Sequence, residues 1–325
     1  MKKVLITTVP FGEKDKTPLE LLESNGIEYI INPLNRKLKE EELAELVSDF
    51  DAIIAGTEII SDYVMSCASN LKFISRVGIG LDSVDLLAAK KRGIDVSYTP
   101  DAPAPAVAEL TIGLMLSLLR FIHISNNKIH EGGWQRFFGR RLEEMTIGIV
   151  GFGRIGSSVL KHLEGFLCKK VLINDIIDKP KFSSSLNIEW ATKEKIYSQA
   201  DVISIHLPLT SSTLNMIGLK ELYSMKKDAI LVNTSRGGII DEESLFKVLK
   251  NNHLSGVALD VFEQEPYCGP LTSIERCLLT AHMGSMSSDC RTRMEIEATE
   301  EVVRFFSDEA LLGTVPIDEY LVQKK

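Results

Sequence analysis

The chain has 325 residues, of which 44% are hydrophobic and 25% charged, and its formal net charge is −8. That length exceeds what one hydrophobic core usually organises and predicts two domains. The composition excludes a disordered, collagen-like or disulfide-scaffold protein, and the negative balance argues against nucleic acid as the main partner. Five scattered cysteines (Cys67, Cys168, Cys268, Cys277 and Cys290) show no Cys-x-x-Cys pairing. They point to a reducing, cytoplasmic compartment and give no metal-ligand spacing.

Met1-Lys2-Lys3 ahead of an apolar run has the look of a signal peptide, but Pro10, Gly12 and the charges up to Lys16 end the run too early. The segment is read as a strand at 3–7. A helix follows at 18–24, stopped by Asn25-Gly26, then a strand at 27–31, a helix at 39–47 and a strand at 52–55. A helix at 61–68 capped by Ser61, a strand at 71–77, a helix at 84–92 ending at Gly93 and a strand at 94–98 complete the series. Strands separated by helices pair in parallel through crossovers, so the first hundred residues predict a complete doubly wound α/β unit.

Pro100-Asp101-Ala102-Pro103-Ala104-Pro105 then breaks the pattern and is read as a domain boundary and hinge. The helix expected at 106–120 is apolar nearly all round, which requires burial between layers, domains or subunits. Its apolar core is about half the length needed to cross a bilayer, and no membrane span is predicted. A second α/β series has strands at 147–150, 171–174, 202–206, 230–233, 256–259 and 278–280. A long helix at 289–306 leaves a tail, 311–322, whose return to the first domain periodicity leaves open.

Gly151-Phe152-Gly153-Arg154-Ile155-Gly156 lies between the second series' first strand and its helix. In a Rossmann turn the first glycine permits the bend, the second admits a pyrophosphate and the third lets helix and strand approach. Phosphates then sit at the helix N-terminus, where free N–H groups favour negative charge. Asp175 ends the next strand about twenty residues beyond the last glycine, as the dinucleotide fingerprint requires. A carboxylate there accepts from a ribose diol and repels a 2′-phosphate, which favours NAD over NADP. Lys169, Lys170, Lys179 and Lys181 bracket that strand and are the local counter-signal.

A nicotinamide carries the hydride, so the protein must supply a proton donor, a cation for the developing oxyanion and a substrate anchor. These belong at the carboxyl ends of strands. Arg236 qualifies, just after the strand at 230–233. His206 and His282 both end predicted strands, and strand position does not separate them. An imidazole in this role needs a carboxylate partner, for which Asp260, Glu263 and Glu265 are candidates.

These residues resemble the NAD-dependent D-isomer-specific 2-hydroxyacid dehydrogenases, phosphoglycerate dehydrogenase-like branch. The resemblance covers almost the whole chain. It rests on Gly78-Ile79-Gly80-Leu81-Asp82-Ser83-Val84-Asp85, Val107-Ala108-Glu109-Leu110 and the glycine fingerprint, and on His206-Leu207-Pro208-Leu209-Thr210, residues 233–238, residues 260–266 and Ala281-His282-Met283-Gly284-Ser285. It implies that Arg236, Glu265 and His282 are the catalytic arginine, glutamate and histidine, and that His206 belongs to the cofactor pocket. By the same resemblance Asp260 partners the nicotinamide amide, while Pro208, Thr213, Thr234 and Ser235 line that pocket. Backbone N–H groups of Val77, Gly78 and Ile79 would anchor the substrate carboxylate together with Arg236.

The implied fold is α/β with two doubly wound parallel-sheet domains: a Rossmann NAD-binding domain (100–287) inserted into a flavodoxin-like substrate domain (1–99 and 288–325). Hinges are expected near 100–105 and 285–289. Homodimers through the NAD-binding domain are common in the family; the helix at 106–120 and the segment 130–141, with Trp134, Phe137 and Phe138, are read as interface or, nearly as well, as core. The implied substrate is a D-2-hydroxy acid or its 2-keto acid, 3-phosphoglycerate, hydroxypyruvate and glyoxylate being examples. A phosphorylated one would call on Arg76, or on Arg136, Arg140 and Arg141 from a second copy of the chain. The alternative is a non-enzymatic NAD-sensing regulator of corepressor type on the same scaffold. A methyltransferase would leave Arg236, Glu265 and His282 unexplained, and formate dehydrogenase relatives carry glutamine where Glu265 stands.

Overall fold

A computed structural model describes residues 2–177 and 184–323, so Lys179 and Lys181 lie outside the described residues. The chain divides into two compact units, Met1–Pro103 with Ser285–Lys325, and Ala104–Gly284.

In the first unit β1 (Lys3–Ile6), α1 (Thr17–Ser24), β2 (Glu28–Ile31), α2 (Glu40–Leu46), β3 (Ala52–Ala55), α3 (Asp62–Cys67), β4 (Phe73–Arg76), α4 (Leu86–Arg92) and β5 (Asp95–Tyr98) alternate. The strands form one parallel sheet in the order β2-β1-β3-β4-β5. Val4, Leu5 and Ile6 are wholly buried, so the apolar run near the N-terminus is a central strand. Each such side chain contributes about 1.5–3 kcal/mol by leaving water. Helix ends follow their capping residues: Ser61 accepts from the Val64 amide, Asp85 accepts from the Ala88 amide at 2.8 Å, and Gly93 closes α4 in the left-handed conformation.

The end of the chain belongs to this unit. In the helix Ser288–Phe306, Phe305 stacks on Phe73 at 4.5 Å and the Ala298 carbonyl accepts from the Ser75 hydroxyl at 2.8 Å. The tail then pairs with β5: Tyr98 donates its amide to Gly313 O at 3.0 Å, and Ser97 bridges Thr314 antiparallel. Glu301 receives the amides of Leu312 and Gly313, and the last helix, Ile317–Gln323, follows.

α5 (Pro103–Leu119) starts three residues before the helix expected from the apolar pattern. Pro103 and Pro105 fall in its first turn, where a missing N–H breaks no helical bond. The second half of the proline-rich segment is therefore helix, and the division between the two units falls within it. Ala108, Ile112, Leu114, Met115, Leu118 and Leu119 of α5 are buried in the second unit's core. After α6 (Ile122–His130) come β6 (Thr146–Val150), α7 (Arg154–Leu163), β7 (Lys170–Asn174), β8 (Ile188–Trp190), α8 (Lys193–Gln199) and β9 (Val202–Ile205). α9 (Leu219–Ser224), β10 (Ile230–Asn233), α10 (Glu242–Lys250), β11 (Gly256–Leu259) and β12 (Cys277–Leu279) complete the unit. Its sheet is parallel throughout, in the order β12-β11-β10-β9-β6-β7-β8. β8 escaped the sequence reading because three residues carry no readable period. Among the described residues no single helix is long and apolar enough to cross a membrane.

Candidate active site

In the second sheet the chain runs outward from β6 through β7 to β8, then returns to β9 on the other side of β6. The strand order thus reverses between β6 and β9, and open α/β sheets bind ligands at the carboxyl ends of strands at such a point. Gly151 follows β6 and His206 follows β9. A side chain at Gly151 would place its Cβ 2.3 Å from the His206 carbonyl oxygen, and the backbone there has φ +95°. A Cβ at Gly156 would lie 2.1 Å from Gly151 O, whereas one at Gly153 would meet nothing within 4 Å. Two glycines therefore serve close packing, and the third leaves open the approach that a pyrophosphate needs. Arg154 and Ile155 open α7 with Gly153 as its N-cap, presenting the helix N-terminus to that space.

Asp175 lies just beyond β7, and its carboxylate accepts from the Phe152 amide at 2.6 Å and the Ile177 amide at 3.0 Å. The acid is thereby fixed against the glycine turn, where a ribose diol would bond. Among the lysines flanking this strand, Lys170 pairs with Glu189 at 2.5 Å and so offers less to a 2′-phosphate. His206 is buried, with Nε2 2.8 Å from Ser204 Oγ and Nδ1 without a partner among the described residues. Burial pushes its pKa down to about 3, so the ring is neutral at physiological pH. Thr213 Oγ1 donates to Pro208 O at 2.7 Å and accepts from the Thr210 amide at 2.8 Å, which shapes the turn after His206. Ser204, His206 and the open space over Gly153 together fit a dinucleotide in the NAD class.

The structure also sorts the three candidate carboxylates. Glu263 is spent on the N-terminus of α10, where it accepts from the Glu242 amide at 3.2 Å while its own amide donates to Glu242 Oε1 at 2.7 Å. Asp260, 1% exposed, accepts from Thr280 Oγ1 at 2.6 Å, from the Met283 amide at 2.9 Å and from the Gly284 amide at 2.8 Å. Both of its oxygens thus hold the segment that carries His282. Glu265 faces His282, whose Nδ1 lies 3.0 Å from Oε1 and 2.9 Å from Oε2. Oε1 also accepts from the Phe262 amide at 3.2 Å. His282 sits at φ +49°, a left-handed conformation uncommon outside glycine, which turns its side chain back toward Glu265.

Arg236 is positioned by the turn after β10. Asn233 donates to Arg236 O at 2.8 Å and accepts from the Ser235 amide and hydroxyl at 3.0 and 2.7 Å, and Arg236 Nη1 donates to Ser235 O at 2.6 Å. A Cβ at Gly237 would lie 1.9 Å from Phe262 O, so this turn packs directly against the loop that leads to Glu265. Thr234 bonds Thr111 of α5 at 2.9 Å. Asn233, which heads the motif at 233–238 but received no role from the sequence, is the side chain that sets this turn.

In the first unit the expected nest of three amides is narrower than foreseen. Val77 N–H donates to Ala55 O at 2.9 Å and Gly78 N–H to Thr99 Oγ1 at 2.7 Å, while Ile79 N–H has no hydrogen bond among the described residues. Gly78 has φ +135°. Of the cations named for a phosphorylated substrate, Arg140 donates to Asp228 O at 2.8 Å and Arg141 pairs with Glu143 and Glu144. Arg76 is buried and donates to the Val77 carbonyl.

The family model for the NAD binding domain of D-isomer specific 2-hydroxyacid dehydrogenases matches residues 112–284. The chain is 35% identical over 275 residues to a hydroxypyruvate reductase of Thermotoga maritima, covering 82% of this chain and 88% of that protein. It is 35% identical over 315 residues to a D-3-phosphoglycerate dehydrogenase of Methanocaldococcus jannaschii, covering 95% of this chain and 58% of that longer protein. The TT0316 protein of Thermus thermophilus superposes with a TM-score of 0.88 at 32% identity, over 97% of this chain and all of that one. The matched relatives carry enzyme names, which favours the dehydrogenase over the regulator. The chain belongs to the D-isomer-specific 2-hydroxyacid dehydrogenase family and is an NAD-dependent oxidoreductase acting on a 2-hydroxy acid/2-keto acid pair.

Proposed function

We propose that Arg236, Glu265 and His282 carry the reaction; the backbone at residues 77–79 is proposed separately as substrate-binding. The observation that carries this reading is the pairing of His282 with Glu265, while the competing histidine, His206, is sealed and neutral. NADH, when bound, supplies the hydride; Gly153, Arg154, Ile155 and Asp175 would hold its phosphates and ribose. In the reducing direction His282 gives its Nε2 proton to the carbonyl oxygen of the keto acid. Glu265 holds Nδ1–H, which fixes the tautomer, aims Nε2 at the substrate and stabilises the imidazolium before transfer. The Arg236 guanidinium binds the substrate carboxylate and polarises the carbonyl.

The same reading extends to assembly and compartment. Trp134 is 82% exposed and the Phe138 side chain is fully exposed in the second unit, an area that a second copy of the chain would cover. Five unpaired thiols support a cytoplasmic setting. The test is NADH oxidation with glyoxylate, hydroxypyruvate, pyruvate and longer 2-keto acids, run beside His282→Gln. Turnover of at least one acid and a loss of about 10²–10⁴-fold in kcat for the variant are expected. An inert wild-type enzyme, or a variant as fast as wild type, rejects the assignment.

A further inference from the structure

The first unit has a switch point of its own. Its sheet order, β2-β1-β3-β4-β5, reverses between β1 and β3, and a ligand crevice is expected at the carboxyl ends of those strands. Thr7 follows β1 and Gly56 follows β3, and a carboxylate sits between them. Glu58, 2% exposed, accepts through Oε1 from the Thr7 hydroxyl and from the Gly56 amide at 2.8 Å. Val77, at the end of the neighbouring β4, donates to Ala55 O at the end of β3, so the Glu58 turn flanks the segment assigned to the substrate carboxylate.

We infer that Glu58 sets substrate class: it makes this enzyme selective for 2-keto acids with a small uncharged substituent and excludes phosphorylated ones. The inference rests on the dehydrogenase reading above and adds the identity of the distal group. Neighbouring strands lie about 4.8 Å apart. A substituent reaching one strand beyond an acid anchored at β4 therefore arrives at the end of β3, beside Glu58. Arg291 is consumed by Glu295 at 2.6 Å, by Thr8 Oγ1 at 2.8 Å and by Pro10 O at 2.5 Å, and Glu295 also takes the Gly12 amide at 2.9 Å. Arg76, at the end of β4, is buried and donates to the Val77 carbonyl. A phosphate dianion brought here would meet a fixed carboxylate in a low-dielectric surrounding, whereas a hydroxyl would meet an acceptor.

The test compares kcat/KM for hydroxypyruvate and 3-phosphohydroxypyruvate with NADH, in wild type and in Glu58→Gln. The wild-type value for hydroxypyruvate should exceed the phosphorylated one at least 100-fold. In Glu58→Gln the gap should narrow at least tenfold, through a lower KM for the phosphorylated acid. A wild-type preference for the phosphorylated acid overturns the inference, as does a folded Glu58→Gln whose ratio stays within twofold of wild type. If that variant does not fold, the wild-type ratio decides alone. Turnover of neither acid, nor of any other 2-keto acid, removes the dehydrogenase reading itself, a result distinct from turnover with the wrong preference.

Discussion

Asp260 holds Gly284 by its amide at 2.8 Å, and with its other oxygen takes the Met283 amide and the Thr280 hydroxyl, so one buried carboxylate fixes the residues on both sides of His282. The left-handed backbone of His282 persists because these bonds over-determine it. Asp260→Asn replaces an acceptor-only group by one whose amide end would face N–H donors. A loss of about 2 kcal/mol in stability is expected from broken hydrogen bonds to a charged group. The kcat should also fall, by about tenfold or more, because the imidazole loses its setting against Glu265. Denaturant unfolding and steady-state rates measure both; an unchanged kcat in the destabilised variant would show that the segment needs no such fixing.

His206 gives the protein an acid-side sensitivity with a defined sign. Its pKa falls from 6.5 to about 3 on burial. Above pH 6.5 the ring is neutral folded and unfolded alike and adds no pH dependence. Below it the unfolded chain binds a proton that the folded chain refuses, so stability drops as pH falls, by about 1.4 kcal/mol per pH unit down to the folded pKa. In His206→Asn this component disappears, and the loss of stability between pH 7 and pH 5 should be about 2 kcal/mol smaller than in wild type. Thermal or urea unfolding at the two pH values reads the difference, and equal losses in both proteins would count against a neutral buried ring.

Much of this was legible in the residues because local chemistry and global fold agree. Gly93 ends α4 and Ser61 caps α3 where turn and capping rules place them. The α5 start was misread because proline signals both a break and a first helical turn, and only packing decides between them. The choice between His206 and His282, and among Asp260, Glu263 and Glu265, lay beyond strand position. Those five residues all lie beyond the carboxyl ends of β9, β11 or β12, and what separates them is which group meets which: Ser204 for His206, the α10 N-terminus for Glu263, and backbone amides with the Thr280 hydroxyl for Asp260. The engagement of Val77 and Gly78 amides by Ala55 and Thr99 likewise depends on contacts between distant segments.

The glycine fingerprint separates folding from cofactor binding in a way that alanine can expose. Gly153→Ala adds a methyl group with no neighbour within 4 Å, in a backbone conformation that alanine adopts. Its melting temperature should match wild type while the Kd for NADH rises about tenfold or more, equivalent to about 1.4 kcal/mol. Gly151→Ala and Gly156→Ala force a Cβ to 2.3 and 2.1 Å from carbonyl oxygens, the former also at positive φ. Both should lose about 2–4 kcal/mol of stability. Calorimetric titration with NADH alongside thermal unfolding distinguishes the two classes. A Gly153→Ala protein that binds NADH as tightly as wild type would move the pyrophosphate elsewhere.

The aromatic arm of the second unit bears on assembly. Phe137 stacks on Phe121 at 5.5 Å, and the Gly139 and Arg140 backbone lies against the end of α5, where the Arg140 amide donates to Leu119 O at 3.0 Å. This anchoring holds the arm in place while Trp134 and Phe138 project outward, with Ile122 and Ile129 of α6 about half exposed beside it in sequence. On the proposed dimer these exposed aromatics are the surface that a second copy would cover, since aromatic anchors dominate such interfaces. Trp134→Ser combined with Phe138→Ser should convert a dimer to a monomer at micromolar concentration, a loss of about 3 kcal/mol or more in association. Sedimentation velocity of both proteins reads this directly. A wild-type chain that sediments as a monomer, or a double variant that stays dimeric, would place the association surface elsewhere or remove it.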